Sequence, residues 1–267
     1  MLTRILYPVD LSPRSQKGLA WIANRVLQKQ STLVAVHVVS PAAGLDTPRY
    51  VHDAEVTLDT LCNTIVAPDI SCKVIATAGN LEEVLPDIAH RENCSFAILP
   101  VLTGESILPL VRQMAIPQFL LRTGNGDLPE EDVFTRIVIA LDLSPERTDL
   151  LLTRVKDILS DSDISTTIHL LHGLPLEDAA GSQNLVNAAT QALEEVRSEV
   201  SKWNPHTLAE VISGQPEEEL PKRITEIRPT LLVVGLATHG EMWQLILGST
   251  AEALIDRTAC PVLIIPT

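Results

Sequence analysis

The chain has 267 residues, 45% of them hydrophobic and only 3% aromatic, so it can bury a sizeable core and must build it from Leu, Val, Ile and Ala. A formal net charge of −14 argues against nucleic acid or anionic membrane surfaces as general partners. No apolar stretch approaches the roughly 20 residues of a membrane span, and the first run, ILYPV, is too short for a signal peptide and is followed at once by Asp10. These features predict a cytoplasmic protein. The four cysteines, Cys62, Cys72, Cys94 and Cys260, form no C-x-x-C pair and no zinc spacing, and read as reduced small hydrophobes.

Taken in order, the elements occur twice. RILYPVDLSPRS at 4–15 matches RIVIALDLSPER at 136–147, each an apolar strand running into Asp-Leu-Ser-Pro. LVAVHVVSP at 33–41 matches TIHLLHGLP at 167–175, with His37 over His172. AGNLEEVLPDIAHRENCSFAILP matches SGQPEEELPKRITEIRPTLLVVG, with Gly79 over Gly214 and Pro86 over Pro221. AIPQFLLR at 115–122 matches ACPVLIIP at 259–266. Order and spacing both hold, so the chain is an internal duplication. The boundary falls in TGNGDLPEED at 123–132, rich in turn and acidic residues, giving domains over 1–123 and 133–267.

Each half alternates short apolar runs with amphipathic segments, and ends on a fifth apolar run. In the second half the strands are predicted near 136–141, 166–172, 207–213, 230–234 and 261–265. Their near-continuous apolar character suits strands buried on both faces, and the alternation implies an α/β fold, a parallel sheet with helices on both faces. Ligands of such sheets bind beyond the carboxyl ends of the strands.

Asp142 follows the first strand of the second half. Its carboxylate is placed to accept hydrogen bonds from a ligand; equally, Asp142 or Ser144 caps the helix that Pro145 begins. Asp10 carries the same ambiguity. Gly235 is expected to end the fourth strand, and Gly248-Ser249-Thr250 opens the last helix, whose free N–H groups suit a phosphate. Ser249 to Glu252 also fits an S-x-x-E capping box that needs no ligand. A Walker loop is excluded because Glu241 follows Gly240 where Lys is required. His169 and His172 point to opposite faces of one strand. His37 and His172 read as structural, and His239 as a loop residue. Ser12 and Ser144 show no base partner, Trp243 can pack on the domain or on a partner, and no nucleophile–base pair or carboxylate dyad stands out. No catalytic and no metal-binding residue is therefore assigned.

The segments RIVIALDLSPERT, HLLHG and LLVVGLATHGEMWQLILGSTAEALIDRTACPVLIIP resemble the universal stress protein family, and the duplication resembles its tandem members. The resemblance implies two open, twisted five-stranded parallel sheets of order 3-2-1-4-5. It also implies an intrachain pseudo-dimer, with a further homodimer possible. The ATP-binding branch of the family carries G-x2-G-x9-G-[S/T]; this chain reads G-x2-T-x9-G-S, with Thr238 at the middle glycine and Gly240 two residues late. A β-branched residue there is strained if the position needs positive φ. The resemblance assigns Gly235, Thr238, Gly248, Ser249 and Thr250 to phosphates, Asp142 to the adenosine part, and Ala140 with the backbone of Gly173 to the base. In the first half Pro100 stands for Gly235 and Gly104 for Gly248, nine loop residues short, so no family-mode ATP site is expected there. The implied function is a stress-response protein holding ATP, with or without Mg²⁺, or another adenine nucleotide, as a regulatory ligand with slow hydrolysis at most. The alternative is a protein-interaction module of the same fold without a nucleotide. Nucleotidyl transfer ranks last, since neither S-G-G-x-D-S nor H-I-G-H occurs.

Overall fold

The computed structural model describes residues 3–27, 31–41, 46–101, 106–122, 128–159, 165–175, 182–239 and 244–267. The chain divides into two compact units, Met1–Leu128 and Pro129–Thr267. Gly104, Gly240, Glu241, Trp243 and the start of the 123–132 linker lie outside the described residues.

The first unit runs β1 (Arg4–Pro8), α1 (Pro13–Arg25), β2 (Thr32–Val39), α2 (Thr47–Ile65), β3 (Ser71–Ala78), α3 (Leu81–Arg91), β4 (Phe96–Val101), α4 (Leu108–Arg112) and β5 (Gln118–Arg122). Its strands lie parallel in the order β3-β2-β1-β4-β5. The second unit runs β6 (Arg136–Leu141), α5 (Pro145–Leu159), β7 (Thr167–Pro175), α6 (Ser182–Ser201), β8 (Thr207–Gly214), α7 (Pro216–Ile227) and β9 (Leu231–Leu236). A short antiparallel hairpin follows, β10 (Thr238–His239) on β11 (Gln244–Leu245), then α8 (Ser249–Arg257) and β12 (Val262–Pro266). Its parallel strands lie in the order β8-β7-β6-β9-β12. Each unit is therefore 3-2-1-4-5 in its own numbering, as the resemblance implied. Right-handed crossovers put the first two helices of a unit on one face and the last two on the other; α1 touches α2, and α7 touches α8.

The apolar runs are the middle of each sheet. Ile5, Leu6 and Tyr7 of β1 and Leu232, Val233 and Ile264 of β9 and β12 are fully buried, as strands covered on both faces must be. Outer strand β8 shows the opposite, with Leu208 half exposed. The paired Gly79 and Gly214 follow β3 and close β8 with φ of 152° and 132°, a region that explains why both halves keep glycine at that corner.

Three expectations are corrected. Strand β9 runs on to Leu236, so Gly235 lies inside it rather than at its end. The loop after it carries the β10–β11 hairpin, which the short polar sequence did not announce. Helix α8 has Gly248 as its N-cap with no side-chain cap bond, so the Ser249–Glu252 capping box does not form. Ser249 is one residue too far into the helix to turn back on its N–H groups. No helix among the described residues is long and apolar enough to cross a membrane.

Two predictions follow from this packing. A Cβ on Gly173 would stand 2.8 Å from both Pro216 Cβ and Leu220 Cδ1, where β7 meets α7. Gly173→Ala is expected to destabilise the chain by about 1–3 kcal/mol through overpacking, read as a lower urea midpoint at unchanged slope. The second concerns His169 in β7. Its imidazole is held below the ordinary value by burial first, then by the Arg136 and Arg223 charges, with Glu210 opposing. A depressed folded value means the unfolded chain takes the proton more readily. The contribution is thus whole above the unfolded pKa of about 6.5 and is lost as pH falls through it. Between about pH 7 and pH 5, His169→Gln should show a smaller drop in urea midpoint than the parent chain; an equal drop would discount His169.

Candidate functional site

The site begins with a turn. Asp142 leaves β6, and its Oδ1 accepts the Ser144 N–H at 2.9 Å; the Thr148 N–H bonds the Ser144 carbonyl at 2.8 Å and starts α5. The first unit repeats this, with Asp10 Oδ1 accepting the Ser12 N–H at 2.8 Å. Ser12 there is the N-cap of α1, its hydroxyl accepting the Ser15 N–H. Of the two capping candidates, the serine therefore starts the helix and the aspartate ties the turn. The residue between them is left-handed in both units, Leu11 at φ 62° and Leu143 at φ 60°. A non-glycine residue held there costs about 1–2 kcal/mol.

The histidines hold the strand ends. His172 Nδ1 lies 2.9 Å from the Leu141 carbonyl and His37 Nδ1 lies 2.7 Å from the Val9 carbonyl. A carbonyl only accepts, so Nδ1 carries the proton in each. Both histidines thus fix the residue that precedes the aspartate, in keeping with their structural reading. In the first unit the Asp10 carboxyl is pushed up by burial, but the hydrogen bonds from Ser12 and Ser15 and the nearby His37 outweigh this and hold it low.

Beyond the carboxyl ends of β6, β7 and β9 the second unit opens a cleft of about 430 Å³. It lies where the chain order reverses between β6 and β9, the expected place for a ligand in an open α/β sheet. Six of the eight sequence-assigned residues line it together: Ala140, Asp142, Gly173, Gly235, Gly248 and Thr250. Thr238 and Ser249 do not. Thr238 pairs with Leu245 in the hairpin, exposed and outside the left-handed region, so the feared strain is absent. Ser249 is exposed on the first turn of α8.

The cleft walls are apolar, from Leu151, Leu220, Val234 and Leu254. Its glycines differ in what they answer to. A Cβ on Gly235 would meet Thr267 Cγ2 at 3.1 Å and Leu151 Cδ2 at 3.3 Å, so the protein itself demands a small residue there. A Cβ on Gly248 would meet nothing within 4 Å among the described residues, and its φ of −87° suits any residue. The first-turn N–H groups of α8 receive no cap from the side chain of their N-cap residue, Gly248.

Sequence reasoning missed two lining residues that matter. Arg147 donates from Nε at 2.7 Å and approaches from Nη2 at 2.6 Å to Asp142 Oδ2, with both side chains about half exposed at the rim. Thr148, only 5% exposed, turns an Oγ1 into the wall that has no hydrogen-bond partner. Their places five and six residues after Asp142, on the first turns of α5, are the signal that could have found them. Among the described residues no group of three or more His, Cys, Asp or Glu side chains could hold a metal ion.

The comparisons agree with this architecture. A family model described as the universal stress protein family matches residues 1–99 and 134–266. A universal stress protein of Methanocaldococcus jannaschii is 28% identical over 95 residues, which is 35% of this chain and 56% of the relative, so the match spans little more than half of that protein. The solved structure of a universal stress protein from Archaeoglobus fulgidus superposes with a TM-score of 0.72 at 21% identity, covering 100% of this chain and 99% of that one. A functionally unknown protein from Pseudomonas aeruginosa superposes with a TM-score of 0.64 at 16% identity, covering 99% of this chain and 92% of that one. With both halves matched by the family model and each sheet in the 3-2-1-4-5 order, the chain belongs to the universal stress protein family.

Proposed function

We propose that the second unit binds ATP or a related adenine nucleotide as a regulatory ligand of a cytoplasmic stress-response protein. The observation that carries this reading is the convergence of Ala140, Asp142, Gly173, Gly235, Gly248 and Thr250 on one cleft. Its volume lies within the roughly 300–1,000 Å³ range of small-molecule sites. The apolar wall near Ala140 and Gly173 takes the base, and Asp142 accepts from a ribose hydroxyl. The N-terminus of α8, with Gly248 and Thr250, takes phosphate on its first-turn N–H groups and the positive end of its dipole. Two features of the cleft make sense with a ligand and cost something without one. The buried Thr148 hydroxyl lacks a partner, a loss of about 1–3 kcal/mol that a polar ligand atom would offset. Gly248 leaves the mouth open, with no described residue within 4 Å of where its Cβ would stand.

No group in the cleft forms a nucleophile–base pair, so turnover is slow at most. Mg²⁺ would be held chiefly by the phosphates rather than by a protein cage. A second reading has one observation behind it. The Asp142 carboxylate is already engaged by Arg147 and the Ser144 N–H, which suits a cleft that takes no nucleotide and a protein-interaction role.

Calorimetric titration of nucleotide-stripped protein with Mg²⁺ and ATP separates the two. One site per chain is expected, weakened about tenfold or more in Gly248→Asp, where a carboxylate faces the phosphates; each tenfold step is about 1.4 kcal/mol. Aspartate is also a good N-cap, so that variant should keep its thermal stability. Absence of heat and of any thermal shift at millimolar ATP would hand the cleft to the interaction reading.

A further inference from the structure

The first unit holds a second chemical feature, remote in sequence from the cleft residues. Helix α2 buries a stripe of Ala54, Leu58 and Cys62 against the sheet, and Cys72 is the second residue of the unit's outer strand β3, in register with Leu33 of β2. The connection between them is short and bonded: Val66 N–H reaches the Cys62 carbonyl at 2.9 Å and Ile70 N–H the Ala67 carbonyl at 3.0 Å. Helix end and strand start are thus held in fixed register, and the two sulfurs stand 2.6 Å apart as free thiols. That is only about half an ångström beyond the ~2.05 Å of a disulfide bond. Packing alone does not ask for this, since two small hydrophobes at these positions would stand further apart.

We propose that Cys62 and Cys72 are a redox pair that closes to a reversible disulfide when the protein meets a peroxide. The Cys72 S–H donates to Cys62, and this hydrogen bond holds the Cys62 thiol below its ordinary range, against burial and the nearby Asp59 charge. The same bond, with burial, pushes Cys72 up. Cys62 is accordingly the more readily ionised of the two, and its thiolate form is the nucleophile. Its sulfur attacks the peroxide O–O bond, giving Cys62 sulfenic acid and one hydroxide. Cys72 then attacks that sulfur, the S–S bond forms, and the hydroxyl leaves with the Cys72 proton as water. Two thiols and one hydrogen peroxide give one disulfide and two waters, and a dithiol reverses the bond by exchange. Cys62 is 3% exposed, while Cys72 is only half buried and gives the small oxidant its approach. Buried Cys94, its thiol pushed up to about 11 chiefly by burial, is the internal control.

The sequence makes the test direct, because no Lys or Arg lies between Tyr50 and Cys72, so one tryptic peptide ending at Lys73 carries both sulfurs. The full chain is treated with hydrogen peroxide, unfolded, alkylated and digested. The expected peptide is two hydrogens lighter than the reduced one and carries no alkyl group; dithiothreitol before alkylation restores two. Cys94→Ser should give the same peptide. Two alkyl groups on that peptide after peroxide, a bridge from either cysteine to Cys94 or Cys260, or oxygen added that dithiothreitol does not remove would each overturn the proposal.

Discussion

Everything at the carboxyl edge of each sheet depends on one short constraint, the turn that Asp-Leu-Ser-Pro makes as the first strand ends. The aspartate oxygen takes the serine N–H two residues on, the serine starts the helix, and the leucine between is forced left-handed. A histidine from the neighbouring strand pins the carbonyl just before. Three turn residues and a histidine of the neighbouring strand thereby fix where the carboxylate stands. The strain at leucine persists because the surrounding bonds over-determine it. That it recurs at Leu11 and Leu143 makes it a property of the frame, not of either site.

On that shared frame the two units diverge beyond the fourth strand. After β4 the first unit goes within a few residues to the five-residue helix α4. After β9 the second unit inserts a hairpin and then a nine-residue helix, α8. Among the described residues, the helix that follows the fourth strand is thus five residues long in the first unit and nine in the second. In the first unit Tyr7 is fully buried in β1, its hydroxyl donating to the Ser15 carbonyl of α1. The difference follows from loop length rather than from the strands, whose order is the same.

What the sequence made legible follows the same division. Period and repetition gave the strands, because strands buried on both faces must be apolar throughout, and the family resemblance supplied their order. The residue types at Asp142, Gly235 and Gly248 marked part of the cleft, and the family resemblance added Ala140, Gly173 and Thr250. What was not legible needed a third dimension. The N-cap shifted by one residue, from Ser249 to Gly248, since S-x-x-E is compatible with either start. Thr238 looked like a strained misfit in the linear motif, yet a hairpin pairs it with Leu245 in ordinary extended backbone. Arg147 and Thr148 were hidden because their importance lies in what they face, which helical periodicity alone does not reveal.

The Asp142–Arg147 contact decides how the cleft can work. Its two side chains are 52% and 45% exposed, so solvent screens them and the pair contributes only about 0–1 kcal/mol. A ligand hydroxyl that shares or displaces Arg147 therefore meets a small barrier, so the ion pair favours the interaction reading only weakly. Arg147, once released, keeps its charge at the rim, where phosphate would meet it. The walls behave differently. Gly173 against Pro216 and Gly235 against Thr267 and Leu151 leave no slack, so the shape of this part of the cleft is set by packing. In the proposed reading, selectivity resides in the rigid wall and affinity in the adjustable mouth at Gly248, Thr250 and Arg147, and the two can change independently.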